Sequence, residues 1–357
     1  MRLLKNKWML AALVVSLVVS SVAFGATDEP KQEMTLKWSY GGAPSGYTAE
    51  GMKWAIEEIS RRTGGKIKGA VYFGTLFDER DVFSSIGKRV ADVAFAPGPF
   101  TVPKNPYFAT VELQGPVTDP WALGRAENEM LMNDPRVRAE FNGFNTVCFA
   151  AHCCGTQIIV SKKVINSVND LKGARVRAPG AVWVNLSKEL GMVPVAMPPI
   201  EVYDALGKGV IDAAIAEVLA VPMLKWEEVT KSFLLPGVGN MAPIAWIMNK
   251  DLWNSLPQSA RDVFVQVGNE LNEWESREQI RREGTFLKQC ESKGIRVLRS
   301  TAEEKSKFEA AARAVREAWF KEWDSKGLET RAFYEDLMKL AAKYQQEVAK
   351  KGYPWGK

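Results

Sequence analysis

From Leu171 to Ala213 the chain alternates short apolar runs with helical patterns, and this alternation limits its fold more than any other feature. Residues 175–178 form a short extended run halted by Pro179-Gly180, a pair that breaks regular structure. Val182, Leu186 and Leu190 recur every four residues and Gly191 supplies a stop, which predicts a helix. A second apolar run, 192–197, closes on Pro198-Pro199, followed by a short helix over 201–207 and a third strand over 210–215. Such a pattern predicts βαβ units and a parallel sheet, whose ligands bind at the carboxyl ends of the strands. Arg177 stands at the end of the first of these strands, just before the Pro-Gly turn. Its planar, five-donor guanidinium suits two-point capture of a carboxylate, the alternative being a solvated surface charge.

The segments DLKGARVRAPG, GMVPVAMPPIEVYDALGKGVIDAA and MNKDLWNSLP occur in that order. With the earlier TGGKIKGAVYFGTLFDERDVFSSIGKRVADVAF, they resemble the solute-binding proteins of TRAP (tripartite ATP-independent periplasmic) transporters. The matches run from about Thr35 to Pro257 without large gaps. The resemblance implies a two-lobed α/β periplasmic-binding fold with a long helix bridging both lobes. It also implies a hinged cleft for an organic acid, delivery to membrane permease subunits, and a role for Arg177 in pairing with the ligand's carboxylate. Some relatives carry a second arginine where this chain has Gln157, and many place an asparagine where it has Ala216, preceded by Ile215 in place of a glutamate. Gly180 stands where a polar residue can occur, and Pro199 where an aromatic can.

The 357 residues are 46% hydrophobic and 25% charged, enough to bury one or two substantial cores. Arg2, Lys5 and Lys7 precede an apolar run from Trp8 to Phe24, with Ala23 and Gly25 as small residues, so residues 1–25 read as a secretory signal peptide cut after Gly25. No acid lies in that leader, so 44 basic residues face 42 acids in the mature chain, and nothing in that balance calls for nucleic acid. The expected product is a periplasmic protein with no cofactor. Its first lobe is expected over 26–152 and 240–275, and its second over 153–239 and 276–357. A helical pattern from 257 to 293 would span about 50 Å, and Thr301 with Glu304 forms a capping box that opens another helix.

Cys148, Cys153, Cys154 and Cys290 would meet an oxidising compartment; four cysteines allow three pairings, and spacing does not choose among them. The single histidine, His152, and Cys153 are neighbours on one predicted strand and point to opposite faces, which argues against a nucleophile–base pair. The sequence shows no nucleophile elbow, phosphate loop or paired histidines, so a binding module fits better than an enzyme. Glu217 sits inside an apolar run, either as an acid holding a ligand's ammonium group or as a helix-start or surface glutamate. One arginine, with Gln157, Gly180, Pro199 and Ala216 in place of polar or charged anchors and Trp183, Phe95 and Phe100 nearby, suggests a monocarboxylate with an aromatic or apolar body. A small 2-oxo or 2-hydroxy acid or a C4-dicarboxylate is the alternative, and a periplasmic sensor role is not separable from transport.

Overall fold

The computed structural model describes residues 32–74, 76–100, 104–239 and 242–356. The leader reading falls on residues 1–25, outside the described residues. The strands, numbered in chain order, are β1 (Met34–Tyr40), β2 (Ile67–Phe73), β3 (Val93–Pro97), β4 (Thr146–Cys153), β5 (Gln157–Ser161) and β6 (Arg175–Arg177). They continue with β7 (Val193–Val195), β8 (Ala213–Glu217), β9 (Ser232–Leu235), β10 (Pro243–Asn249) and β11 (Arg296–Arg299). They form two sheets, ordered β2-β1-β3-β10-β4 and β11-β9-β5-β8-β6-β7.

β6 pairs in parallel with both β7 and β8, as the alternation predicts. The sheets are nonetheless mixed. β10 runs antiparallel to β3 and β4, and β5 antiparallel to β8 and β9. The chain changes lobes between β4 and β5 and again between β9 and β10, so each returning strand enters against its neighbours. All seven residues of β10, PIAWIMN, are buried, as suits a strand covered on both faces.

Each sheet has a core on either side. The first is sandwiched between a cluster around Trp38, Met52, Trp246, Phe264 and Leu271 and another around Phe83, Phe108, Phe141 and Ile247. The second lies between a cluster around Val176, Trp183, Ile215 and Trp319 and another around Ile158, Val202, Trp226 and Phe286. The helix Gln258–Ser292, 35 residues long, supplies Phe264, Val267 and Leu271 to a first-lobe core and Phe286, Leu287 and Cys290 to a second-lobe core. It bridges the lobes.

One boundary differs from the sequence expectation. The helix Ala302–Asp324 packs on the second lobe through Phe308, Val315 and Trp319. The last helix, Thr330–Lys351, instead buries Phe333, Leu337 and Ala341 in a first-lobe core, so residues 276–357 do not all belong with the second lobe. Its apolar stripe says that it packs, and nothing in that stripe says on which sheet.

Candidate binding cleft

β5, β6 and β8, neighbours inside the second sheet, bring three of the sequence candidates to one end of their strands. Arg177 ends β6, Glu217 ends β8, and Gln157 opens β5 directly opposite Glu217 in the antiparallel register. Arg177 is only 4% exposed. Its Nη1 donates to the Ile215 carbonyl at 2.9 Å and its Nε to the Met197 carbonyl at 3.3 Å. No carboxylate pairs with it among the described residues, and burial pulls its pKa down to about 10. A buried guanidinium held by neutral carbonyls alone keeps an uncompensated charge, which an anion would offset. The sequence alternative of a solvated surface arginine is therefore replaced by a buried one.

Ala216 is buried and lies two residues beyond Ala214, the residue registered with Arg177, so a small apolar group continues that face of the sheet. Gln157 is buried; its amide donates to Gln114 Oε1 of the loop after the helix Pro106–Thr110 at 3.2 Å, and its own oxygen has no partner. Gly180 opens the helix Gly180–Glu189 with φ of +72°, a backbone state that glycine adopts without strain. A Cβ there would lie 3.0 Å from both the Cβ and the carbonyl oxygen of Pro99, in the turn after β3. The two lobes touch at this point, and a side chain would fit only if Pro99 gave way by a few tenths of an ångström.

Phe95 and Phe100 lie on the first-lobe side and are half-buried. The Phe95 ring stands edge-on to Tyr40 at 4.9 Å and to Trp246 at 5.6 Å. Trp183 is 2% exposed and belongs to the second-lobe core, and Pro199 is exposed on a single helical turn.

Glu217 is half-buried and is not a surface side chain. Its Oε2 accepts from the Tyr47 hydroxyl at 3.0 Å, the Cys154 thiol at 2.8 Å and the Gly155 amide at 3.1 Å. It lines a cavity of about 540 Å³ between the lobes, whose walls include Tyr40, Tyr47, Met223, Phe286, Arg281 and Arg282 but not Arg177. Tyr40 and Tyr47 carry a wall that sequence reasoning missed, although the glycine-rich loop between them, 41–46, does mark the carboxyl end of the first strand. Glu79, on the single turn Glu79–Asp81 after β2, lies near this wall without lining the cavity. It is half-buried, raised to about 7 by burial and by the nearby Asp78, and its charge helps push the Tyr40 phenol up.

All four cysteines are free thiols. His152 is buried, and burial pulls it down to about 3, so it stays neutral near neutral pH. Among the described residues no group of histidine, cysteine and acidic side chains is arranged to hold a metal ion.

Two α/β lobes, a bridging helix and a buried cation at their junction define a two-lobed solute-binding protein. The chain belongs to the DctP family, bacterial extracellular solute-binding protein family 7, whose model matches residues 42–351, and it is a TRAP-type solute-binding protein. A solute-binding protein of Verminephrobacter eiseniae is 22% identical over 313 residues, covering 83% of this chain and 88% of the relative. A monocarboxylate 2-oxoacid-binding periplasmic protein of a Nostoc species is 32% identical over 137 residues, 37% of each chain. Among solved structures, a TRAP solute-binding protein of Rhodoferax ferrireducens T118 with copurified benzoate superposes with a TM-score of 0.79 at 24% identity, over 88% of this chain and 99% of that one.

Proposed function

We propose that this protein captures an organic monocarboxylate with an aromatic or apolar body in the cleft and hands it to the membrane permease of a TRAP transporter. Arg177 carries the reading: a buried guanidinium with two carbonyl acceptors and no acid beside it has the charge and geometry for a two-point carboxylate contact. Around Arg177, Gln157, Ile215 and Ala216 add no second cation, and the cavity's Arg281 and Arg282 are already paired with Glu278 and Glu50, so a second carboxylate would meet only occupied cations there. Arg177 does not itself line the cavity walled by Tyr40, Tyr47, Met223 and Phe286; the aromatic groups on the first-lobe side, with Phe95 edge-on to the Tyr40 of that wall, favour a flat apolar body. The benzoate held by the Rhodoferax protein agrees with that class. The 2-oxo acid specificity of the Nostoc relative favours the second reading, a small 2-oxo acid on the same arginine.

Export follows from the leader reading, and mass spectrometry of protein from the native periplasm should give a start near Ala26. The ligand class is tested by a thermal-shift screen against aromatic acids, aromatic amino acids, 2-oxo acids and C4-dicarboxylates. Aromatic monocarboxylates are expected to raise the melting temperature most. Stabilisation by succinate or malate, with none by benzoate or phenylacetate, would sink the aromatic reading.

A further inference from the structure

Tyr47 opens the helix Tyr47–Arg62 of the first lobe, and Glu217 ends β8 of the second. Their hydroxyl–carboxylate bond at 3.0 Å therefore spans the junction between lobes. The groups around it belong to the segments that join the lobes. Gln279 of the bridging helix donates through Nε2 to the Tyr47 hydroxyl at 3.2 Å and to the Cys153 carbonyl at 2.8 Å. Cys154 and Gly155, in the crossing between β4 and β5, donate to the same Glu217 oxygen that Tyr47 uses. A Cβ on Gly155 would fall 2.5 Å from Glu283 Oε1 and 3.3 Å from Glu217 Oε2, which shows how tightly the crossing is wedged between the two acids.

We infer that Tyr47 and Glu217 form a latch that holds the lobes closed, with Gln279 and the Cys154–Gly155 crossing as its fixed side. Three observations carry it. The bond joins residues 170 positions apart that no strand pairing or helix holds together. Tyr47 is 7% exposed, so its hydroxyl has little access to water as a substitute partner in this closed arrangement. Both residues also line the 540 Å³ cavity, so an occupant there lies against the latch itself. Opening the lobes would separate Tyr47 from Glu217. Glu217 would keep Cys154 and Gly155, and Tyr47 would keep Gln279. The latch thus has two states, each with its polar groups partnered, and it acts by positioning the lobes without itself having to bind the ligand's carboxylate.

The role rests on reading the chain as a protein that closes on a ligand, and the test separates the two claims. Spin labels on Lys68→Cys in the first lobe and Lys208→Cys in the second, both exposed positions, report the interlobe distance without added ligand. Tyr47→Phe keeps the ring and removes only the hydroxyl. It is expected to lower the ratio of closed to open forms about tenfold, the scale of a lost hydrogen bond to a charged acceptor. Glu217→Gln keeps an acceptor without its charge and is expected to lower the ratio about threefold, because a neutral acceptor keeps roughly half the strength of a charged one. Melting temperatures of both variants are expected to stay near wild type, which a purely structural role would not allow. Wild-type distance distributions in both variants overturn the latch. Arg177→Ala is the control: loss of benzoate and phenylacetate binding with unchanged unliganded distances supports the carboxylate site independently. Retained binding with altered Tyr47→Phe distances would remove Arg177 from the site and leave the latch standing.

Discussion

At the scale of the residue, the central question is what Arg177 does while 4% exposed. The two carbonyls that hold it, from Met197 and Ile215, are neutral and fix its position without cancelling its charge. Truncating one member of a buried charge pair costs about 3–5 kcal/mol, so Arg177→Ala should weaken carboxylate binding by roughly two to three orders of magnitude. The unliganded protein should lose little, because its guanidinium has no anionic partner to forfeit. Arg177→Lys should recover little affinity, since an ammonium cannot offer two parallel N–H donors. Calorimetric titration with the acid that gives the largest thermal shift checks all three statements, and near-normal affinity in either variant would exclude the arginine from the contact. The position of Arg177 was legible from the strand end and the Pro-Gly turn. Its burial was not, because that depends on Met197 and on a β8 whose bounds, Ala213–Glu217, lie beyond the predicted 210–215.

The bridging helix shows the same division at the scale of the element. Its length was legible: the apolar spacing predicts 257–293 and the helix runs Gln258–Ser292. Its middle was misleading. The stretch NEWESREQIRRE, 272–283, offers only Trp274 and Ile280 as apolar positions and both are half-buried, whereas Asn272, Glu275, Ser276, Gln279 and Glu283 are all buried there. The apolar stripe lapses where the helix leaves one core and has not reached the next, and the polar residues in the gap meet the lobe junction. Both carboxylate oxygens of Glu275 lack a hydrogen-bond partner, and burial, reinforced by Glu217, pushes its pKa well above the usual carboxylate range. Glu283 accepts from the Thr156 amide at 2.8 Å and is pushed by burial from its ordinary 4.5 up to about 7. A carboxyl whose pKa is raised in the folded state binds its proton more tightly there than in the unfolded chain. Its stabilising share is complete below pH 4.5 and is lost as the pH rises through about 7. Stability should therefore fall between about pH 5 and about pH 7.5, with Glu283 contributing on the order of 3 kcal/mol of the change. Urea unfolding across that range checks it. Glu283→Gln, which keeps an acceptor for Thr156, should flatten the profile without abolishing the slope due to Glu275. A variant profile parallel to wild type would mean that Glu283 is ordinary in the folded protein.

For the whole molecule, the sequence made two lobes legible through its strand–helix alternation, but it left the last helix on the wrong one. Sheet order was likewise out of reach, because β5, β9 and β10 owe their antiparallel places to the path of the chain between lobes and not to any local pattern. How closely the lobes approach is also a property of the whole molecule, yet it comes down to one position. Gly180 must carry φ of +72°, and its missing Cβ leaves room for Pro99 of the other lobe. Gly180→Ala should act twice. The left-handed backbone costs about 1 kcal/mol in open and closed forms alike and lowers the melting temperature of the unliganded protein. The added methyl group would meet the Pro99 carbonyl and ring at 3.0 Å only when the lobes are together, so it penalises closure separately. Ligand affinity should fall by roughly tenfold, and the interlobe distance should lengthen, beyond what the drop in stability accounts for. Scattering or spin-label distances measured with and without benzoate separate the two effects. A variant that melts earlier yet closes and binds like wild type would show that the Gly180–Pro99 approach does not limit closure.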